Sequence, residues 1–182
     1  MNNTLATLVK INADGKSTCS EKTQVSSYKE VLKQYIPYFH AMFSDNFKES
    51  SKTLIELGDD TDFQAVSKLT SFVYKGTLQV EAADIQSVYE VADQWGMTGI
   101  ASICSQFMIR ELDASNCLNL FHLAQMHSCQ ELIKACLLVF SQQFQAVSLT
   151  SSFLQLPSHT LSRLLQLDDI NAGLPSKFSP VN

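Results

Sequence analysis

The apolar residues near the start of this 182-residue chain are spaced differently from those in its second half, and this difference limits the fold more than any other feature. Residues 5–13 and 17–25 are short apolar and β-branched stretches on either side of Asp14-Gly15, a dipeptide suited to a tight hairpin turn. From residue 81 onward, apolar residues recur every three to four positions. The sequence therefore predicts an α+β front part with a small sheet, followed by an all-helical part.

The stretch between these regions mixes both patterns. YKEVLKQY and PYFHAMF indicate two consecutive helices, with Pro37 favouring the start of the second. TLIEL at residues 53–57 indicates a third strand. Asp62 is then predicted to cap a helix that Gly76 ends. We expect the third strand and this helix to complete the front part.

The helical part carries stripes of apolar residues that we expect to face inward. They are Ile85, Val88, Tyr89, Ala92 and Trp95; Ile100, Ile103, Cys104, Phe107 and Met108; Leu118, Leu120, Phe121 and Ala124; Leu132, Ile133, Cys136, Leu137, Phe140 and Phe144; and Leu161, Leu164 and Leu165. Asp113 or Ser115 is predicted to cap the third of these helices, and Pro157 to open the last.

The charge argues against binding to nucleic acid, and the length of the apolar runs argues against a membrane span. Thirteen Lys and Arg residues, a net charge of -5 and a pI near 5.3 do not supply the basic surface that nucleic acid requires. The N-terminus lacks the features of a signal peptide, and no run approaches the roughly 18 apolar residues of a membrane span. We therefore expect a soluble intracellular protein, cytoplasmic with the nucleus as an alternative.

The residues that carry most metal and catalytic chemistry do not form a recognised motif here. Five cysteines are expected to be reduced thiols, mostly in the core: Cys19, Cys104, Cys117, Cys129 and Cys136. A possible metal cluster consists of Cys117, His122, His127, Cys129 and Cys136, but the spacing is not that of a zinc site, so core or surface roles are favoured. A redox-sensing cysteine is also disfavoured, because few of the cysteines neighbour Lys or Arg in the sequence. Asp59-Asp60 and Asp62 indicate a turn and a cap. We expect no cofactor and no enzymatic activity.

Several segments together resemble a known family. YKEVLKQYIPYFHAMFSDNFKES, TLIEL, FVYKGTL and VYEVADQWGM resemble the BTB/POZ domain of Kelch-like proteins. ELDASNCLNLFHLAQMHSCQELIKACLLVFSQQFQAV, followed by FLQLP, is similar to the opening helices of the BACK domain, called the 3-box. The resemblance implies a BTB/POZ domain over 1–111, a partial all-helical BACK domain over 112–170 and a flexible tail over 171–182.

The same resemblance implies an adaptor function. Kelch-like proteins bind the N-terminal region of cullin-3 through the BTB domain and bring it a substrate for ubiquitination through a Kelch propeller. The cullin contact in such domains is a hydrophobic residue, any residue and then Glu, which here are Phe47, Lys48 and Glu49. A phenylalanine in a pocket removes apolar surface worth roughly 1.5–3 kcal/mol. From the residues alone, Phe47 as a core residue and Glu49 as a solvated charge remain the alternative.

Three further residues are weaker candidates for the same partner. Tyr74 occupies the family's Tyr-x-Gly position and is expected near the Phe47 surface. Met126 and His127, at the junction of the two 3-box helices, are candidates for a second contact. A grooved helical face of this kind receives an apolar peptide in several recognition systems.

The chain also departs from the family pattern. Only four residues precede Leu5, where such domains carry a helix that swaps across a homodimer, so the dimer contact is expected to be weakened or absent. Residues 14–27 match worst, and no Kelch blades of roughly 50 residues follow the helices. The prediction is a cullin-facing fragment that can pair with itself or other BTB proteins. The alternative is a self-association, scaffolding or transcriptional-repression module that does not bind cullin.

Overall fold

The structure is a computed structural model that describes residues 5–10, 24–44, 52–58 and 61–165. The chain divides into two compact units, Met1–Cys104 and Ser105–Asn182. The first contains a small sheet with helices, and the second is helical throughout its described residues. The predicted α+β fold with a helical second part is therefore confirmed.

The sheet has three strands: β1 (Leu5–Lys10), β2 (Gln24–Tyr28) and β3 (Leu54–Leu57), in the order β2-β1-β3. β1 pairs antiparallel with β2, with Leu5 opposite Tyr28, and parallel with β3, with Thr7 opposite Leu54. A parallel pair needs a long crossover, because the chain must return to the same end of the sheet.

The antiparallel pairing of the first two strands is confirmed, but the predicted extent of the second strand, 17–25, is wrong in its C-terminal limit. β2 continues to Tyr28 because its pairing with β1 extends that far, with Ala6 opposite Ser27 and Leu5 opposite Tyr28. The helix expected to begin at Tyr28 begins at Lys29, because Tyr28 still belongs to the sheet. The predicted turn at Asp14-Gly15 lies outside the described residues.

Two short helices, α1 (Lys29–Tyr35) and α2 (Pro37–Met42), form part of the crossover from β2 toward β3. Ile36 separates them, and Pro37 occupies the first turn of α2, as the sequence predicted. Phe39 is fully buried and packs edge-on against Trp95 with ring centroids 5.1 Å apart. This aromatic pair fixes the inner face of α2.

α3 (Phe63–Lys75) follows β3, and both of its predicted ends are confirmed. The Asp62 carboxylate accepts hydrogen bonds from the backbone N–H groups of Gln64 and Ala65 at 2.8 and 3.3 Å. Gly76 closes the helix at a φ of 68°, a left-handed conformation that suits glycine. After an extended segment and a 3-10 turn come α4 (Ile85–Gln94) and α5 (Thr98–Arg110).

The second unit contains α6 (Cys117–Met126), α7 (Gln130–Gln142), α8 (Phe144–Ser148), α9 (Ser151–Leu154) and α10 (Ser158–Leu165). α6 and α7 pack as a helical hairpin. The inward positions predicted on these two helices include residues that are buried, namely Leu118, Leu120, Phe121, Ala124, Leu132, Cys136 and Phe140. The predicted cap of α6 at Asp113 or Ser115 is wrong: Asn116 is the residue before the helix, and it makes no side-chain capping bond. The Asp113 carboxylate instead accepts hydrogen bonds from the backbone N–H groups of Ser115 and Asn116, at 2.8 and 3.1 Å, and closes the turn that precedes α6.

One predicted core residue is exposed. Ile103 was expected in the inward stripe of α5, but 68 % of its surface is accessible. The buried positions on this helix are Ala101, Cys104, Ser105 and Met108. Small residues thus form part of the inner face, and successive helical residues turn by about 100°, which moves Ile103 off that face.

Candidate functional site

A groove of about 700 Å³ lies in the first unit between α2 and β3. Tyr38 and Met42 of α2 line one side, and the segment 52–56 lines the other. Phe39 and Phe43 are buried on the inner side of the same helix, so Tyr38 and Met42 lie on its outer side. We call this the Tyr38 groove.

The position of Tyr38 is fixed by its neighbours. Its backbone N–H donates to the carbonyl oxygen of Trp95 at 3.1 Å, and its ring lies edge-on to Phe39 with centroids 5.1 Å apart. A smaller groove of about 290 Å³ lies against the same residue and is lined also by Leu57 and Trp95. Tyr38 therefore stands between two concave surfaces.

The Tyr38 groove combines apolar and charged chemistry. Met42, Leu54 and Ile55 supply apolar surface, while Lys52 and Glu56 place one charge of each sign beside it. Such a surface suits a large apolar side chain that is flanked by polar groups. The sequence did not reveal this groove, although Tyr38 and Met42 lie in a helix with more aromatic and apolar residues than one inward face requires.

The predicted contact Phe47, Lys48 and Glu49 lies outside the described residues. Along the chain, it lies between Met42, which lines the Tyr38 groove, and Lys52, which lines it as well. The motif is thus flanked on both sides by residues of one groove.

Tyr74 is described, and its hydroxyl connects two parts of the first unit. The backbone N–H of Tyr28 donates to it at 2.9 Å, and it shares a hydrogen bond of 2.8 Å with the Ser27 hydroxyl. Half of the Tyr74 side chain is exposed. It does not line the Tyr38 groove. Tyr74 therefore connects α3 to the end of β2, a structural role that the sequence did not reveal.

The segment Thr77–Val80 runs from the end of α3 toward the 3-10 turn in an extended form. Its residues alternate between exposed and half-buried, as in a strand with one covered face. Within the described part of the chain, its backbone groups form no hydrogen bond. Unpaired backbone of this kind is typical of the edge strand of a sheet.

Met126 and His127 lie at the end of α6 in the second unit. Met126 is 69 % exposed, whereas His127 is half-buried and its backbone N–H donates to the Leu123 carbonyl at 3.1 Å. Neither residue lines the larger concave surface of this unit, a groove of about 640 Å³ between α6 and the residues around Pro157. We call it the α6–α10 groove.

The described thiols are buried or half-buried. Burial raises the pKa of Cys104 and Cys117 to about 11 and that of Cys136 to about 12. These three thiols stay protonated at neutral pH, which makes them poor nucleophiles. No three His, Cys, Asp or Glu residues in ranges 5–10, 24–44, 52–58 and 61–165 stand in a group able to hold a metal ion.

The helices also bear on membrane contact. Among the residues that the structure describes, no helix is long and apolar enough to cross a membrane.

Two known families match this chain, each over a different range of residues. The family described as "BTB/POZ domain" matches residues 13–112, which is more than half of the chain. The family described as "BTB And C-terminal Kelch", or BACK, matches residues 117–174. The resemblance seen in the sequence is therefore confirmed.

Individual relatives agree with these families. Kelch-like protein 17 of Mus musculus and of Homo sapiens is 34 % identical over 148 residues, which cover 81 % of this chain and 23 % of the relative. Kelch repeat and BTB domain-containing protein 4 of Pongo abelii is 31 % identical over 160 residues, 88 % of this chain and 30 % of the relative. The chain thus spans less than a third of the relatives that it matches. It belongs to the BTB/POZ–BACK family.

Proposed function

We propose that this chain binds the N-terminal region of cullin-3 and acts as the cullin-facing part of a ubiquitin-ligase adaptor. The observation that carries the proposal is the Tyr38 groove, because residues on both sides of the Phe47-Lys48-Glu49 motif line it. The motif and the groove thus belong to one continuous stretch of chain. Such continuity supports a single docking surface built from both.

The chemistry of this stretch fits a protein partner. Phe47 supplies an apolar anchor, and burial of its ring would contribute roughly 1.5–3 kcal/mol to binding. Glu49 can accept hydrogen bonds from the partner's backbone and so fix its orientation. Tyr38 adds an aromatic side chain on a helix that is held by Trp95. Aromatic residues on a rigid element are frequent hot spots of interfaces.

The role of the second unit follows from the same proposal. Met126 and His127 would add a second contact for cullin-3. The 3-box helices would begin at residue 112, in a BACK domain that reaches residue 170 and is followed by a tail over 171–182. Because the chain spans less than a third of its relatives, we propose that substrate recruitment requires sequence outside it. Alone, the chain would compete for cullin-3, in the cytoplasm or, as the alternative, in the nucleus.

Isothermal titration calorimetry with the cullin-3 N-terminal region tests the proposal. Phe47→Ala and Glu49→Ala should each weaken binding at least tenfold. Lys48→Ala is the matched control, since it alters the middle residue of the same motif, and it should bind like the parent. Equal binding by all four chains would contradict the assigned contact.

A second function is favoured by the extended segment Thr77–Val80. Its strand-like backbone, with no hydrogen bonds within the described residues, supports pairing with a strand from a second BTB/POZ chain. Such pairing would make the chain a homodimer or a heterodimer with other BTB proteins, and it suits scaffolding or repression without cullin. Light scattering distinguishes the two: a monomer that binds cullin-3 favours the adaptor, and a dimer without cullin binding favours self-association.

A further inference from the structure

We propose that a pocket beside α3 binds the phosphorylated serine or threonine side chain of an extended partner peptide. The pocket has a volume of about 390 Å³, and its lining comes from α3 and from the extended segment that follows this helix. We call it the α3 pocket. None of the residues proposed to contact cullin-3 lines it, so the inference does not depend on the adaptor function.

The lining of the α3 pocket is basic and rich in hydroxyl groups. Lys68 and Lys75 supply two ammonium groups, and Ser67, Ser71 and Thr77 supply three hydroxyls. None of the described residues that line it is Asp or Glu. A phosphoryl group on a side chain carries a charge of about -1.5 to -2 at pH 7 and three strong acceptor oxygens. Its charge and its acceptors therefore match the groups of this lining.

The spacing of these residues along α3 brings the donors to one side of the helix. Lys68 and Lys75 are seven residues apart, which is close to two helical turns, and Ser71 lies between them. Within the described part of the chain, the Ser71 hydroxyl and the Lys75 ammonium group form no hydrogen bond or ion pair. Both groups are therefore available to a ligand.

The second ammonium group is held at the pocket by a neighbour. Lys68 forms an ion pair with Asp84, and 29 % and 28 % of the two side chains are exposed. An ammonium group has three donors, so this pair leaves Lys68 able to bind a phosphoryl oxygen as well. The Asp84 carboxylate and the partial negative charge at the end of α3 both oppose an anion. Binding should therefore be sensitive to salt and should strengthen when the Asp84 charge is removed.

The wall opposite α3 favours a peptide over a free phosphate ion. Thr77 and Gln79 of the extended segment line this wall, and the backbone of Thr77–Val80 forms no hydrogen bond within the described residues. An extended peptide can pair with such backbone and place one side chain beside the lysines. A free phosphate ion would leave these backbone groups unused. A strand from a second BTB/POZ chain would use the same backbone, so the two occupants would compete.

Fluorescence anisotropy of the full chain at low ionic strength tests the inference. The probe is a fluorescein-labelled peptide with one phosphoserine between valines, and its unphosphorylated twin should bind more weakly. Lys75→Gln should weaken phosphopeptide binding about tenfold, because it removes a charge-assisted hydrogen bond. Lys134→Gln removes the same charge from an exposed position on α7 that does not line the pocket, and it should bind like the parent.

A third variant and a competitor locate the phosphoryl group. Asp84→Asn should tighten phosphopeptide binding about threefold, because an exposed carboxylate no longer repels the anion. The net charge of -5 disfavours general binding of anions, so such binding would report the pocket. Circular dichroism verifies that each variant keeps its helices. Equal binding of the two peptides, or parent affinity in Lys75→Gln, would overturn the inference. Inorganic phosphate that binds as tightly as the phosphopeptide would overturn the peptide as the occupant.

Discussion

The hydroxyl of Tyr74 accepts a hydrogen bond of 2.9 Å from the backbone N–H of Tyr28, although 46 residues separate them in sequence. The same hydroxyl lies 2.8 Å from the Ser27 hydroxyl, and Ser27 is almost completely buried. One side chain near the end of α3 thereby satisfies polar groups where β2 ends and α1 begins. This bond joins the sheet to the helices of the first unit.

Tyr74→Phe should destabilise the first unit by about 1–2 kcal/mol, because the substitution leaves the Ser27 hydroxyl and the Tyr28 N–H without this partner. Urea unfolding monitored by circular dichroism measures the change in free energy of unfolding. Tyr35→Phe is the control, since Tyr35 is exposed and its hydroxyl forms no hydrogen bond within the described residues. Equal stability of the two variants would show that the Tyr74 bonds contribute nothing.

Thr70→Val should stabilise the protein by up to about 1 kcal/mol. The Thr70 hydroxyl is buried in α3 and has no hydrogen-bond partner within the described residues, and valine has nearly the same shape without the polar atom. Thr77→Val, at an exposed position, should change the midpoint of urea unfolding by much less. A loss of stability in Thr70→Val would mean that the hydroxyl is satisfied in solution.

Cys117 and Cys136 should react with iodoacetamide at pH 8.5 at least tenfold more slowly in the native protein than in denaturant. Burial raises the pKa of these thiols to about 11 and 12, and thiolate is the reactive form. Burial of the protonated thiols makes a contribution to the free energy of unfolding that is complete below pH 9. This contribution is lost as the pH rises through 11 to 12, because the thiols then ionise in the folded protein as well. Peptide mass spectrometry measures each rate. Native rates equal to denatured rates would contradict the burial of these thiols.

Met42→Asp should weaken cullin-3 binding at least tenfold, because it places a charge on the wall of the Tyr38 groove. Ala41→Asp is its matched control: it adds the same charge to the last turn of α2, at an exposed residue that does not line the groove. Calorimetry should give the parent affinity for Ala41→Asp. If both variants bind as the parent does, the groove is not part of the interface.

Local signals in the sequence predicted the features that depend on neighbouring residues. Asp62 and Gly76 marked both ends of α3, because capping and left-handed closure involve residues within one turn. Pro37 marked the start of α2 for a similar reason. The BTB/POZ resemblance was recognised because it rests on many such segments in a fixed order.

Features that depend on distant residues could not be predicted in the same way. The parallel pairing of β1 with β3 joins segments more than 40 residues apart, and no local pattern specifies it. The end of β2 was misplaced because Ser26 and Ser27 are polar, whereas the strand continues through its pairing with the distant β1. The Tyr38 groove was missed since the outward side of α2 is set by packing of Phe39 on Trp95.

Titration of the cullin-3 N-terminal region into the parent chain, with light scattering of the mixture, tests the adaptor account most directly. If the chain is the cullin-facing part of an adaptor, binding should be saturable, with one cullin-3 region for each BTB/POZ chain. Phe47→Ala should then bind at least tenfold more weakly. The absence of any complex, in a sample whose circular dichroism shows the expected helices, would contradict the central claim.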